Sequence, residues 1–372
     1  MNTAIALSGT HAKDTRTTKA IALVCRESHG EIDGIRDYTV QLADALRRFE
    51  GVSAEVLGPG ALNGTLVDYD TVVLQYNPFM YGRWGFTPWL PAALLRMRRR
   101  HPTLEVALMV HEPYVPMINW RWTLMGIWQR SQLFALRAVA DPVFASIDAW
   151  TSTLGEMRPR RVVHHLPVGS NLPDRRPYRK EARLGIGGTP ETLIVSTFGT
   201  AHPARRLEYV TAAVNAIAAN GVPTIFLNLG AGAPAFDGVA PSVRVLAPGL
   251  QSPPALAEFL SATDLFLAPF ADGVSTRRTT IMAALQHGLA VIGTDGPLTD
   301  PTFRESDHAL RLVPVGREDL FVDAAMKLAA RQEERERVGK AARRLYDERF
   351  DWPIIAEALL SHLSPRRTAT GR

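Results

Sequence analysis

The sequence contains little cysteine and no long apolar run. Cys25 is its single cysteine, so an intrachain disulfide cannot form, and a reducing cytoplasm is the expected compartment. The first eighteen residues lack the sustained apolar stretch of a secretion signal, and no uncharged apolar run reaches the length that spans a bilayer. We therefore expect a cytoplasmic protein, neither secreted nor integral to a membrane, with a disordered tail at residues 1–18.

The chain also lacks a strong charge excess and a dinucleotide fingerprint. Its 42 lysines and arginines against 37 acidic residues give +5 over 372 residues, which favours small anionic partners or an acidic membrane surface and is too small to indicate nucleic acid. Gly30 and Gly34 follow the first apolar run without the G-x-G-x-x-G spacing, which disfavours a dehydrogenase. A ligand could approach the backbone at Gly34, although a plain strand-to-helix turn explains the glycine equally well.

The sequence is rich in short apolar runs that alternate with amphipathic segments. This pattern predicts an α/β protein with parallel sheets covered by helices on both faces, and 372 residues with 46% hydrophobic content suffice for two domains. The stretch 166–190, rich in proline, glycine and arginine, reads as an interdomain linker or a long surface loop. The clearest predicted strands are 20–25, 71–76, 106–111, 193–199, 224–230 and 265–270, and the predicted helices include 37–49, 91–100, 206–220 and 255–263.

Polar residues follow two of the apolar runs in the first half. Tyr76 and Asn77 end the second run, and His111 and Glu112 end the third. Ligands of open parallel sheets collect beyond the carboxyl ends of the strands, where a histidine and a glutamate can bind sugar hydroxyls or transfer a proton. His111 could equally be a hydrogen-bonded histidine of the core. A mononuclear zinc site is not expected, since no second histidine or cysteine stands at ligand spacing.

Residues 117–140 interleave three tryptophans with three arginines, and "RMRRRH" precedes them. Such a helix suits a membrane interface or a lipid-linked substrate. The alternative is a helix that packs on the sheet with its arginines in solvent.

Two basic loops follow strands in the second half. In the first loop, Gly199 and Thr200 end a strand, and Arg205 and Arg206 precede a helix. The second loop joins the strand "LFLAPF" to the helix "IMAALQHG". Arginines, hydroxyls and backbone amides at a helix start form an anion site. The candidate ligands in the second loop are Asp272, Gly273, Val274, Ser275, Arg277, Arg278, Thr279 and Thr280.

In its motifs and their order, the chain resembles the retaining glycosyltransferases of family 4, which have the GT-B fold of two Rossmann-like domains facing a central cleft. "HEPY" resembles the family's strand-end histidine, and "FGTAHPARRLEYVTAAV" its glycine-rich turn, basic residue and helix. "LAPGLQSPPALAEFLSATDLFLAPF" resembles the segment from the nucleobase loop, here at Leu250, to the donor loop. "YDERFDWPIIAEALLSHL" resembles the closing segment that crosses back to the first domain.

The resemblance implies residue roles and domain bounds. The bounds are an acceptor domain at 19–170, a nucleotide-sugar domain at 171–349 and a crossing helix within 350–372. The donor would be a UDP-sugar or a GDP-sugar, and the acceptor a glycan or a lipid-linked molecule. No cofactor or metal would be required. Peripheral contact with the inner membrane face is left open. Gly199 and Thr200 would face the diphosphate, with Arg205 in place of the family's lysine and Arg206 where glycine is usual. His111, Arg205 and Arg206 would be catalytic, and Gly34, Tyr76, Asn77 and Glu112 would face the acceptor.

The donor loop departs from the family pattern. The usual Glu-x7-Glu pair binds the donor sugar and then the ribose. Asp272 could take the first role, but Ala283 occupies the helix position of the second glutamate, and Thr280 is the residue eight beyond Asp272. This departure leaves two alternatives beside hexose transfer with retention: a catalytically degenerate nucleotide-binding protein, and a nucleotide-sugar epimerase or phosphorylase.

Overall fold

The structure is a computed structural model that describes residues 18–27, 33–64, 66–200, 202–230 and 237–365. Residues 1–17 of the predicted tail lie outside the described part of the chain. The described residues form two parallel sheets of six strands each. The prediction of an α/β protein with two parallel sheets is confirmed.

The first sheet has the strand order β2-β1-β3-β4-β5-β6, so the chain reverses its direction of travel between β1 and β3. Its strands are β1 (Lys19–Val24), β2 (Val52–Leu57), β3 (Thr71–Tyr76), β4 (Glu105–Val110), β5 (Val143–Ala145) and β6 (Val163–His165). Its helices are α1 (Gly34–Leu46), α2 (Trp89–Arg100), α3 (Trp120–Val139) and α4 (Asp148–Met157). The β3 sequence TVVLQY is buried at all six positions because helices cover both faces of the sheet.

The second sheet has the order β12-β11-β10-β7-β8-β9, with its reversal between β7 and β10. Its strands are β7 (Leu193–Phe198), β8 (Thr224–Leu229), β9 (Arg244–Gly249), β10 (Leu265–Ala268), β11 (Ala290–Asp295) and β12 (Leu310–Pro314). The helices that follow the first domain are α5 (Arg179–Gly185), α6 (Leu207–Ala219), α7 (Pro253–Ala262), α8 (Thr279–Gln286), α9 (Pro301–Glu305), α10 (Glu318–Ala330), α11 (Gln332–Arg349) and α12 (Trp352–His362). A reversal of this kind opens a crevice at the carboxyl ends of the strands, and each sheet has one.

The stretch 166–190 is only partly a linker. Its second half forms α5, which packs on α7 of the second domain. Arg179 and Arg183 donate to the two carboxylate oxygens of Asp264 at 2.5 and 2.7 Å. Asp264 immediately precedes β10, so these arginines fasten α5 to the base of the second sheet.

The last helix returns to the first domain. α12 packs against α1, and Trp352 donates its indole N–H to the carbonyl of Ser170 at 2.6 Å. At the other end of α12, the ring of His362 stacks on His164 of β6 with centroids 3.7 Å apart. The closing segment therefore connects the second domain back to the first.

The tryptophan-rich segment forms α3, which lies on the first domain beside α2. Among the described residues, no helix is both long enough and apolar enough to cross a membrane.

Candidate functional site

The carboxyl ends of both sheets face one cleft of about 990 Å³. Twelve of the predicted site residues line this cleft, and six lie behind its surface or beside it. The twelve are Gly34, Asn77, His111, Glu112, Gly199, Thr200, Arg205, Leu250, Arg277, Arg278, Thr279 and Thr280. The two domains thus bring residues that are far apart in sequence to a common space.

The two basic loops of the second domain are joined through their backbones. The amide of Arg206 donates to the carbonyl of Pro269 at 2.9 Å, and the amide of Ala271 donates to that of Ala204 at 2.6 Å. This short antiparallel contact fixes the loop after β7 against the loop after β10. Their arginines therefore lie on one wall of the cleft.

Arg205 is a half-buried cation whose hydrogen-bond partners among the described residues are all neutral. Its guanidinium donates to the carbonyls of Gly199 and Thr200 at 2.9 and 3.2 Å, and to the hydroxyl of Thr197 at 2.8 Å. Burial lowers the pKa of Arg205 to about 10, so the side chain stays charged at neutral pH. A partly desolvated charge without a carboxylate partner favours an anionic ligand.

Arg277 and Arg278 share one carboxylate. Asp272 accepts from Arg277 at 2.7 Å through one oxygen and from Arg278 at 2.5 Å through the other. The second nitrogen of Arg277 donates to Glu112 of the first domain at 2.5 Å, and Glu112 also accepts from Asn77 at 3.1 Å. Burial, and next the charge of Arg277, lower the pKa of Arg278 to about 10.

Asp272 does not line the cleft as the sequence predicts. Its two oxygens accept from the two arginines and so hold their side chains in place, and the Asp272 side chain is 22% exposed. Asp272 in the role of the family's first glutamate stays a prediction.

The middle of the donor loop is buried structure. Gly273 has a positive φ of 89°, and a Cβ there would lie 2.1 Å from the hydroxyl of Thr299, so only glycine fits the turn. Val274 is buried beneath Gly293, and Ser275 is fully buried with a hydroxyl that has no hydrogen-bond partner among the described residues. These three predicted ligands position the loop and do not line the cleft.

Two further predicted residues are also outside the lining. Tyr76 is 1% exposed and packs in the core of the first domain, since its side chain leaves β3 toward the helices. The guanidinium of Arg206 lies beside Glu208 of α6, 3.7 Å away, and is directed away from the cleft.

His111 lies at the cleft edge and belongs to the core as well. It is 6% exposed, its Nε2 contacts the amide oxygen of Gln75 at 2.8 Å, and the ring of Tyr38 meets it edge-on at 4.9 Å. Burial lowers the pKa of His111 to about 3, so its imidazole is neutral at physiological pH. It can hydrogen-bond a substrate but carries no charge.

Seventeen of the lining residues were not predicted, and those of them with acidic, basic or imidazole side chains are Arg26, Asp33, Asp37 and His202. Asp33 caps α1 by accepting from the amides of Ile35 and Arg36, both at 3.1 Å, and Asp37 follows in the first turn. The strand-end rule that selected Gly34 and Arg205 applies equally to Asp33 and His202, since they lie in the same loops.

A polar cluster joins the domains below the donor loop. Asp300 of the second domain accepts from the amides of Asp148 and Thr276, both at 2.7 Å, and the hydroxyl of Thr276 contacts His165 at 2.9 Å. Asp148, His165 and Asp300 are residue types that ligate metals, and their ligand atoms lie within 4.8 Å of one another. Both oxygens of Asp300 already accept backbone hydrogen bonds, so the cluster serves as an interdomain contact.

Comparisons with known proteins identify the architecture. No protein-family model matches the chain, and no curated protein matches its sequence. Solved structures do match over nearly the whole chain. Sucrose-phosphate synthase from Thermosynechococcus elongatus is 14% identical with a TM-score of 0.66, covering 92% of this chain and 98% of its own. HepE from Anabaena, in complex with UDP and glucose, is 13% identical with a TM-score of 0.63, covering 92% and 99%. A glycosyltransferase from Rickettsia africae is 12% identical with a TM-score of 0.64, covering 92% and 97%.

The chain has the GT-B fold. At such low sequence identity the likeness extends to the fold, in which two Rossmann-like domains place their strand ends around a shared cleft. The cleft described above occupies that position.

Proposed function

We propose that this GT-B protein is a glycosyltransferase that moves a hexose from a nucleotide sugar to a glycan or lipid-linked acceptor, with retention and without a metal, in polysaccharide or glycoconjugate biosynthesis. The observation that carries the proposal is the cationic wall of the second domain. Arg205, Arg277 and Arg278 line it, and no aspartate or glutamate of that domain lines the cleft among the described residues. Such a wall suits a diphosphate.

The donor would lie along the second domain. Its diphosphate would contact the three arginines and the amides at the start of α8, where Thr279 and Thr280 also line the cleft. Its base would lie near Leu250, which is 67% exposed at the cleft rim. HepE binds UDP and, in another complex, UDP-glucose, and this supports a UDP-sugar as the first donor to test.

The ribose would be held without the family's second glutamate. Ala283 is 1% exposed in the core of the second domain, so its helix turn contributes no polar group to the cleft. Thr279 and Thr280 are the residues of α8 that line the cleft, and their hydroxyls are the polar side-chain groups that this helix offers to a ribose. Threonine hydroxyls can hydrogen-bond a ribose, although more weakly than a carboxylate.

The acceptor would enter from the first domain. Asn77 and Glu112 are hydrogen-bonded to each other at the cleft, and Gly34 and His111 lie beside them. The acceptor hydroxyl would attack the anomeric carbon on the face from which the diphosphate leaves and would pass its proton to the departing phosphate oxygen, which gives retention. Because negative charge grows on the phosphate oxygen, fixed arginines lower the barrier more than they stabilise the bound donor.

The three arginines also account for the proposed metal independence. A divalent cation in a transferase neutralises the leaving diphosphate. Among the described residues Arg205 has no carboxylate partner, and Arg278 has nitrogens beyond the one that donates to Asp272, so both can direct charge to a ligand. Arg277 would share its charge with Asp272 and Glu112, to which its two terminal nitrogens donate.

Donor hydrolysis and transfer test this function. The protein is incubated with UDP-, GDP- and dTDP-sugars, with and without glycan and lipid-linked acceptors, in buffer containing a metal chelator, and nucleotide release is measured. We expect release with one donor, and a faster release with a suitable acceptor. Nucleotide binding without release from any donor would contradict the transferase.

A catalytically degenerate nucleotide-binding protein is the second candidate. The buried Ala283 in place of a glutamate favours it, since the donor contact that the family uses is missing. The same assay separates the two candidates, because the degenerate protein binds nucleoside diphosphate but releases none from a nucleotide sugar.

A further inference from the structure

Exposed apolar side chains concentrate on one part of the first domain. Of the 21 large hydrophobic side chains that are exposed among the described residues, twelve fall between positions 79 and 134. The most exposed are Trp120 at 72%, Ile118 at 70% and Trp84 at 62%. The twelve are Phe79, Trp84, Phe86, Trp89, Leu95, Met117, Ile118, Trp120, Trp122, Leu124, Ile127 and Phe134.

α3 presents a regular apolar stripe to solvent. Trp120, Leu124, Ile127 and Phe134 are spaced by four, three and seven residues, which places them on one face of a helix. Each is at least 48% exposed, whereas Leu133 and Leu136, on another face, are fully buried. The helix therefore packs on the domain through one face and leaves a second apolar face largely exposed, with the guanidinium of Arg158 over the ring of Phe134 at one end.

The stripe is continuous with the turn around residues 83–86. The indole of Trp128 on α3 donates to the carbonyl of Trp84 at 3.2 Å, and its ring lies 6.0 Å from that of Phe86. We call this surface, formed by Trp84, Phe86 and the α3 stripe, the aromatic face.

The sequence segments that form the aromatic face carry charges of one sign. Positions 71–104 and 113–140 contain eight arginines, of which Arg137 is buried, and no aspartate or glutamate. The guanidinium of Arg83 lies 5.6 Å from the ring of Trp84, and that of Arg121 lies 5.2 Å from the ring of Trp120. Exposed tryptophans with arginines beside them and no carboxylates match the boundary between lipid headgroups and acyl chains.

We propose that the aromatic face docks the protein on an anionic lipid surface. A second copy of this chain fits less well, because a self-complementary contact would bring these uncompensated arginines together. Phe79 lies five residues before Trp84 of the aromatic face. It is 47% exposed and lines the cleft together with Met80, so the aromatic face lies near the cleft in the chain. A lipid-linked acceptor could therefore pass from the membrane to the cleft; this last point rests on the proposed function, whereas docking does not.

Binding to vesicles in the absence of any sugar nucleotide tests the docking. Vesicles of phosphatidylcholine alone and of phosphatidylcholine mixed with phosphatidylglycerol are sedimented with the wild-type protein and with Trp120→Ser/Ile127→Ser. Both changed side chains are exposed, so the fold should persist. Leu184→Ser on α5 is the matched control, since Leu184 is 65% exposed on the other domain.

We expect the wild-type protein and the Leu184 variant to bind the anionic vesicles, and the double variant to bind about tenfold less. Salt should weaken the binding, and neutral vesicles should capture little protein. Two results would overturn the proposal: equal binding of the double and Leu184 variants, or a wild-type dimer that the double variant loses while no vesicle is bound. Nucleotide release from a sugar donor, measured without lipid, should be the same in all three proteins, so failure of docking and failure of the transferase are distinguishable.

Discussion

The two walls of the cleft have opposite charge. Among the described residues, the first-domain wall carries Asp33, Asp37 and Glu112 with one arginine, whereas the second-domain wall carries three arginines and no carboxylate. Both walls are built in the same way, from loops that follow parallel strands. The same arrangement of strands and loops thus forms two different binding surfaces. The second-domain wall suits an anion, and the first-domain wall suits hydroxyl groups.

The contrast depends on where carboxylates lie as much as on where arginines lie. Asp272 is in the second domain but stands behind Arg277 and Arg278, so it orients them and leaves the surface cationic. Glu112 lies on the first-domain wall and forms an ion pair with Arg277 on the second-domain wall. Among the described residues, this is the one ion pair between a carboxylate of the first wall and an arginine of the second.

Removal of the paired arginines should have the largest effect. In Arg277→Ala/Arg278→Ala, two charged hydrogen-bond donors are lost, and UDP or GDP affinity should fall by about 4 kcal/mol, roughly a thousandfold. Calorimetric titration measures it. Arg206→Ala is the control, since Arg206 lies beside Glu208 outside the cleft and its loss should leave affinity unchanged. Wild-type affinity in the double variant would remove this loop from the donor site.

Arg205→Gln should act mainly on turnover. The neutral amide can keep a hydrogen bond to the loop carbonyls, but it cannot stabilise charge that develops on the leaving phosphate, so kcat should fall roughly a hundredfold, about 3 kcal/mol. Steady-state kinetics separate kcat from KM. A change confined to KM would instead assign Arg205 to ground-state binding.

The first wall can be examined through the neutral His111. The pKa of His111 is lowered from about 6.5 in the unfolded chain to about 3 in the folded protein. Below pH 6.5 the unfolded state therefore binds a proton at His111 that the folded state does not bind. Stability is therefore lost as the pH falls, by about 2 kcal/mol between pH 7 and pH 5 for this group. His111→Gln should be destabilised less over this interval than the wild type, as measured by denaturant unfolding.

His308→Gln is the control for this pH dependence, because the side chain of His308 is 69% exposed. Other histidines also contribute to the pH dependence of the wild type, since desolvation lowers the pKa of His202 and of His287. Only the difference between the His111 variant and the wild type is assigned to His111. Identical slopes in the two proteins would mean that His111 is charged or exposed in the folded state.

The sequence predicts six of the eight interior strands, missing β5 and β11, and none of the four edge strands. The fully buried β3 and β8 were found from their continuous apolar runs, within a residue of their bounds. The edge strands β2 and β9 carry exposed residues such as Glu55 and Arg244, so their sequences have no continuous run. Pairing with a neighbour, which lies far away in sequence, is what makes them strands.

The same limit applies to the site. The strand-end rule brought Arg205, Arg277 and Glu112 to one cleft, because the carboxyl ends of parallel strands share an edge. It could not predict that Asp272 is outside the lining and pairs with both Arg277 and Arg278, since this depends on how the three side chains meet in the folded loop. Side-chain direction in a loop follows from tertiary contacts, whereas the position of a loop follows from topology.

Glu112→Gln should have the smallest and most diagnostic effect. The change breaks the ion pair with Arg277 but preserves the shape of the side chain and its contact with Asn77. With less neutralisation of the second wall, nucleoside diphosphate affinity should rise by about 1 kcal/mol, roughly fivefold. The acceptor KM should rise in the same variant, because a carboxylate binds sugar hydroxyls more strongly than an amide does. Glu208→Gln is the matched control, since Glu208 pairs with Arg206 outside the cleft and its change should alter neither quantity. If Glu112→Gln weakened the diphosphate instead, the ion pair would be holding Arg277 in place for the donor, and the two walls would act as one surface.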